Sequence, residues 1–140
     1  MDVRLQNPAT ALRIAFGLMA TLAGIDKFFN ILADWTSYVS PAAAGLLPFS
    51  PSVLMGVVGV VEIGVGLAIL KAAPAIGAYV ASAWLVLVAG NLVLGGYLDV
   101  AVRDLVLAIA AFTLGRMMET EQEQPRASLA HPGVSLGAAR

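Results

Sequence analysis

The chain has no cysteine, and its one histidine, His131, lies close to the C-terminal end. Without cysteine there are no disulfides, no thiolate catalysis, no thiol–disulfide relay and no thiolate-held metal cluster. Charge is also scarce. Asp, Glu, Lys and Arg make up 12% of the 140 residues, about half the share found in an ordinary soluble domain. The formal net charge of -1 leaves no basic face to neutralise phosphates, which argues against nucleic acid as a partner.

What is present is apolar. Hydrophobic residues account for 59% of the chain, and the mean hydropathy is +0.86. The length is that of one domain, and the composition is that of an integral membrane protein whose principal partner is the lipid bilayer. The first apolar run has no small-residue cleavage site and continues into Asp26-Lys27, so it reads as a retained helix and not as a signal peptide.

Cap signals divide the chain into four helices. Asn7-Pro8 and Ser50-Pro51 each place a capping side chain before a proline at the first helical position. Pro74 opens a third run that closes at Gly95-Gly96, and Asp99 caps a fourth. The expected helices span about residues 8–33, 51–71, 74–95 and 99–118, each near the length needed for ~30 Å of hydrocarbon. The fold expected is therefore an all-α membrane protein, an antiparallel bundle of four transmembrane helices. Residues 35–49 are too short and too broken to span, and read as an interfacial turn or short surface helix. Trp35 and Tyr38 there suit an aromatic belt. The polar tail, 119–140, reads as disordered.

Small residues spaced four apart, Ala20 with Gly24, Gly77 with Ala81 and Ala111 with Gly115, mark close helix contacts. Gly56, Gly59, Gly64 and Gly66 give the second helix a small face. Orientation follows from the basic residues. Arg4, Arg13, Lys71, Arg116, Arg126 and Arg140 fall on one side of a four-span arrangement, so both termini are expected in the cytoplasm.

Against this background the polar residues inside the apolar runs stand out, because a charge at membrane depth costs at least ~2.5–3.5 kcal/mol. They are Asp26, Lys27 and Asn30 on the first helix, Glu62 on the second, Asn91 on the third, and Asp99, Arg103 and Asp104 at the start of the fourth. Asp26, Asn30 and Asp34 form a stripe on one helix face, with Lys27 one step round. Lys27 and Glu62 are expected to pair across helices, and Asp99 to pair with Arg103 four residues on. Counted from Trp35 along a helix, Lys27 lies about 12 Å deep. All the polar groups then converge in the half of the bundle opposite the termini, as a one-sided pocket bounded by Lys27, Glu62 and Arg103. Trp84, Tyr79 and Phe112 read as lipid-facing or core groups. No metal site is expected.

Gly24-x-x-Lys27-Phe28, followed by Val61-Glu62-Ile63-Gly64-Val65-Gly66-Leu67, resembles the DoxX family of small four-helix membrane proteins. Tyr97-Leu98-Asp99-Val100-Ala101-Val102-Arg103-Asp104 is similar to a DoxX-like subgroup. The resemblance covers residues 10 to 118. It implies a multi-pass protein of a prokaryotic cell membrane, associated with a protein partner in a membrane complex or as a homo-oligomer, with quinone as a possible cofactor. Relatives include subunits linked to thiosulfate:quinone oxidoreduction and anchors of oxidant-detoxifying complexes. With neither cysteine nor a histidine in the helices, a redox role would be accessory and not catalytic. The competing expectation is a small-molecule or proton-coupled binding protein or transporter that uses the Lys27–Glu62 cluster.

Overall fold

The computed structural model describes the backbone of residues 3–130 and the side chains of residues 8–124. It is helical throughout, with no strand among the described residues. α1 runs Val3–Asp26, α2 Pro41–Leu46, α3 Pro51–Leu67, α4 Pro74–Leu94 and α5 Leu98–Ala130. A single 3-10 turn, Trp35–Tyr38, precedes α2, and a π-helical turn, Ala68–Ala72, prolongs α3. Three stretches, Pro8–Asp26, Pro51–Ala72 and Pro74–Leu94, are long and apolar enough to cross a membrane. Large apolar side chains point outward around the molecule: Leu22, Val60, Leu87 and Ile109 are each more than half exposed. So large an apolar surface suits a membrane protein and not one surrounded by water.

The long helices associate as two pairs, α1 with α3 and α4 with α5, and the π-helical turn touches both. In the first pair, backbone meets backbone. A Cβ added to Gly24 would lie 2.6 Å from the Gly59 carbonyl oxygen, and one added to Gly66 would lie 2.7 Å from that of Gly17. Both contact residues recur after seven positions, two helical turns, so the antiparallel helices keep one register along their contact. In the second pair, Gly115 leaves room for the Tyr79 ring, while Gly77 of α4 leaves room for Ile69 of the π-helical turn. The pairs close on each other at the end where Arg13 and the π-helical turn lie, around Phe16, Ile69, Ala78, Ala81 and Leu114. There Arg13 Nε donates to the Ile69 carbonyl at 2.9 Å and a second guanidinium nitrogen donates to that of Leu70. These bonds satisfy carbonyls left open where α3 ends.

Several element ends differ from those expected, each for a local reason. α1 stops at Asp26 and not near Ala33. Asn30 adopts a left-handed conformation, φ 53, and its N–H returns to the Asp26 carbonyl at 2.7 Å, so the chain folds back on itself. α1 also begins at Val3, which leaves Pro8 inside it and not at its first position. α5 begins at Leu98, placing Asp99 in its first turn and not at its cap. α5 then continues through the stretch expected to be disordered as far as Ala130; 131–140, with His131, lie outside the described residues.

Other signals act as read. Ser50 caps α3, its hydroxyl accepting from Val53 N–H. Ser40-Pro41 uses the same device to start α2, with Ser40 Oγ accepting from Ala43 N–H at 3.1 Å. Gly96, at φ 82, makes the left-handed turn out of α4.

Candidate functional site

With α1 ended at Asp26, about six residues of α3 rise beyond it, some 9 Å of helix. Residues 27–47 fill that space and roof the gap between the two helix pairs. Beneath them lies a cavity of about 1190 Å³. Its walls come from all four long helices, with Ala23, Val58, Leu85 and Leu107 among the apolar ones and Lys27, Glu62, Arg103 and Asp104 as the charged ones. The cavity stops at Phe16, Val65 and Ala81, where the Ile69–Leu114 core closes the bundle.

Lys27 and Glu62 meet across α1 and α3, Nζ to Oε2 at 2.6 Å. The pair has two further partners, both tryptophans. The Lys27 ammonium sits 3.8 Å from the centroid of the Trp35 ring, and Trp84 Nε1 donates to Glu62 Oε1 at 3.4 Å. Both side chains of the ion pair are largely buried, 5% and 15% exposed, so each depends on these partners and not on solvent.

Asp26, adjacent in sequence, enters a separate network. Its carboxylate accepts N–H bonds from Ile31 at 3.0 Å, Leu32 at 2.9 Å and Trp35 Nε1 at 2.8 Å. Three donors in place of a cation fix the turn after α1 and hold the Trp35 ring over Lys27. This arrangement overturns the depth count for Lys27. Trp35 is folded back onto Lys27, so the two are neighbours and not ends of a 12 Å helical segment. Asn30 is exposed, and its Oδ1 accepts a long bond from Trp35 N–H at 3.4 Å; it shapes the turn and does not reach the cavity's charged wall.

Asn91 fastens the roof to α4. Its amide donates to the Tyr38 carbonyl at 2.7 Å and accepts from Ser40 N–H at 3.0 Å. Tyr97 donates a hydroxyl bond to the Ser37 carbonyl at 3.0 Å and packs its ring at a 56° tilt against Tyr38, with ring centroids 4.9 Å apart. Replacing Asn91 by leucine strands two roof groups and is expected to cost about 1–3 kcal/mol. Amide hydrogen exchange would localise the loss. Faster exchange confined to residues 35–47 is the expected result, and unchanged exchange there would show that Asn91 is not what holds the roof.

On α5 the expected Asp99–Arg103 pair is replaced. Arg103 Nε lies 3.5 Å from Asp104 Oδ1, and Asp99 is exposed near the helix start. Asp104 is buried at 6% exposure, so the inward acid takes the arginine. Of the residues singled out from sequence, Lys27, Glu62, Asn91, Arg103 and Asp104 line one cavity. Asp26 supports it from behind, while Asn30 and Asp99 stay outside its wall. Sequence reasoning missed Trp35 and Trp84 as partners of the ion pair. The available signal was the indole N–H, a donor that needs an acceptor when buried.

Among the described residues no cluster of His, Asp or Glu could hold a metal ion. The polar groups suit binding and orientation of a molecule at the cavity wall. No protein-family model matches the chain, and neither does any curated protein or solved structure.

Proposed function

We propose that this chain is a non-catalytic accessory protein of a membrane complex, built as a four-span bundle with both termini cytoplasmic, whose roofed cavity binds a lipid-soluble molecule. The observation that carries this reading is the cavity's shape: large, mostly apolar, polar at one wall, and closed at the inner end by the Phe16–Ile69–Leu114 core. A transporter needs access to its central site from both sides, and the closed end supplies none. Four spans rest on α5, which packs along α4 and exposes Val106, Ile109 and Phe112. Orientation rests on the one-sided distribution of Arg and Lys.

The resemblance to the DoxX family, carried by Gly24, Lys27, Glu62 and the glycines after it, supports the same reading and extends it to a prokaryotic cell membrane and a quinone-linked redox partner. Purification in mild detergent, with mass spectrometry of the proteins and lipids retained, tests it. A stable protein partner or a stoichiometric lipid-soluble ligand is expected. Solute uptake into proteoliposomes that Glu62→Gln abolishes would instead establish transport. Orientation has its own test in Ser37→Cys, which is expected to react with an impermeant maleimide only from outside intact cells. Reaction only from the cytoplasmic side would invert the topology.

A further inference from the structure

The chemistry of the occupant can be narrowed from the cavity wall, and the inference rests on the binding role just proposed. The charges lining the cavity balance, Lys27 against Glu62 and Arg103 against Asp104. The Lys27–Glu62 pair is closed at 2.6 Å with both side chains largely buried, whereas Arg103 lies 3.5 Å from Asp104 with its side chain 67% exposed. Among the described residues no buried side-chain nitrogen or oxygen lacks a hydrogen-bond partner. A ligand whose charged head reached Glu62 would have to break the buried Lys27–Glu62 pair or bring its own counter-ion into a mostly apolar space, and either is strongly disfavoured. An uncharged polar group meets no such penalty. The Trp84–Glu62 bond, at 3.4 Å, is long enough for a small head to share the indole donor or the carboxylate acceptor.

Size and access point the same way. The cavity of about 1190 Å³ exceeds the ~300–1,000 Å³ of ordinary small-molecule pockets, so it suits a long apolar body. Among its lining residues, Leu87, Gly90 and Leu94 of α4 and Leu46 of α2 are also exposed. The cavity therefore reaches the outer surface along this side of α4, and every group at that mouth is apolar. A mouth of this kind is loaded from hydrocarbon and not from water.

We propose that the cavity takes an uncharged amphiphile, a long apolar chain with one compact hydrogen-bonding head such as a hydroxyl or carbonyl. It enters from the bilayer past Leu87, Gly90 and Leu94 and places its head at Trp84 and Glu62.

The chain's two tryptophans, Trp35 and Trp84, both line the cavity and report occupancy directly. The full chain in nanodiscs of saturated phosphatidylcholine would be titrated with three brominated probes of equal chain length: an alcohol, a carboxylate and a trimethylammonium. Saturable tryptophan quenching, reversed by the unbrominated alcohol, is expected at a concentration at least about tenfold lower for the alcohol than for either ion. Gly90→Phe tests the mouth, since a side chain there meets nothing within 4 Å and folding should be retained. This variant is expected to raise the alcohol concentration required at least about tenfold, with unchanged helical circular dichroism. Quenching by the carboxylate or the ammonium at equal or lower concentration would overturn the uncharged class while leaving the binding role standing. Wild-type behaviour of a folded Gly90→Phe would overturn the route. No saturable quenching by any probe would overturn the inference and the binding role together.

Discussion

Lys27→Met is expected to destabilise the protein by about 3–5 kcal/mol, because it leaves Glu62 largely buried without its cation. Glu62→Gln should cost less. The amide oxygen can still accept from Lys27, at the expense of the Trp84 bond to the other carboxylate oxygen, and the Trp35 face still holds the ammonium through a cation–π contact of about 0.5–2 kcal/mol. The double variant removes both charges and should recover much of the loss, so that the two effects are strongly non-additive. Reversible unfolding in mixed micelles, followed by the tryptophans that flank the pair, measures all three. Additivity within about 0.5 kcal/mol would show that Lys27 and Glu62 act independently. The geometry argues otherwise: at 2.6 Å and with side-chain exposures of 5% and 15%, neither group has water to fall back on.

A second large effect is expected where α1 and α3 touch. Gly24→Leu places its Cβ 2.6 Å from the Gly59 carbonyl oxygen and 2.9 Å from the Ile63 backbone nitrogen. Both obstacles are main chain, so no rotamer change relieves the clash and the helices must separate. The cost should reach or exceed the upper end of the ~1–3 kcal/mol typical of overpacking. Separating the helices would also pull Lys27 away from Glu62, which lies one turn beyond Gly59 on α3. Gly64→Leu is the matched control. It lies on α3, the partner helix, where a Cβ meets nothing within 4 Å, and it should leave the melting temperature near that of the wild type or raise it. A melting temperature for Gly24→Leu no lower than that of Gly64→Leu would show that backbone approach at Gly24 does not limit stability, since leucine has the higher helix propensity at either position.

The cavity and its cover depend on the same contacts. α1 brought close to α3 by Gly24 and Gly59 sets Lys27 beside Glu62. Asp26 then turns the chain so that Trp35 lies over the ammonium, and Asn91 pins the returning segment to α4. The two networks meet at Trp35, which bonds Asp26 through its indole nitrogen and covers Lys27 with its ring.

The sequence by itself determined the apolar class, the helical content, the caps at Ser50 and Gly96, and most of the side chains that line the cavity. These are local or compositional properties. A serine before proline, or a glycine that must take positive φ, acts through its own backbone, and a charge in an apolar run needs a partner wherever the run is placed. Small residues four apart likewise marked Gly24 and Gly77 as contact sites without naming what they touch. Only the tertiary structure decided where α1 stops, because residues 27–33 are apolar enough to continue a helix. What ends it is the capture of the Ile31, Leu32 and Trp35 N–H groups by one carboxylate, Asp26, together with the left-handed turn at Asn30. Tertiary structure also decided which acid receives Arg103. Asp99, four residues before it, and Asp104, next to it, are both within reach in sequence terms, and the choice falls to Asp104 because it is buried and has the greater need of a counter-charge. The roles of Trp35 and Trp84 were settled in the same way, since an interfacial indole reads as an aromatic-belt group, and one on an apolar helix as lipid-facing or core, until the fold places a lysine or a glutamate beside it.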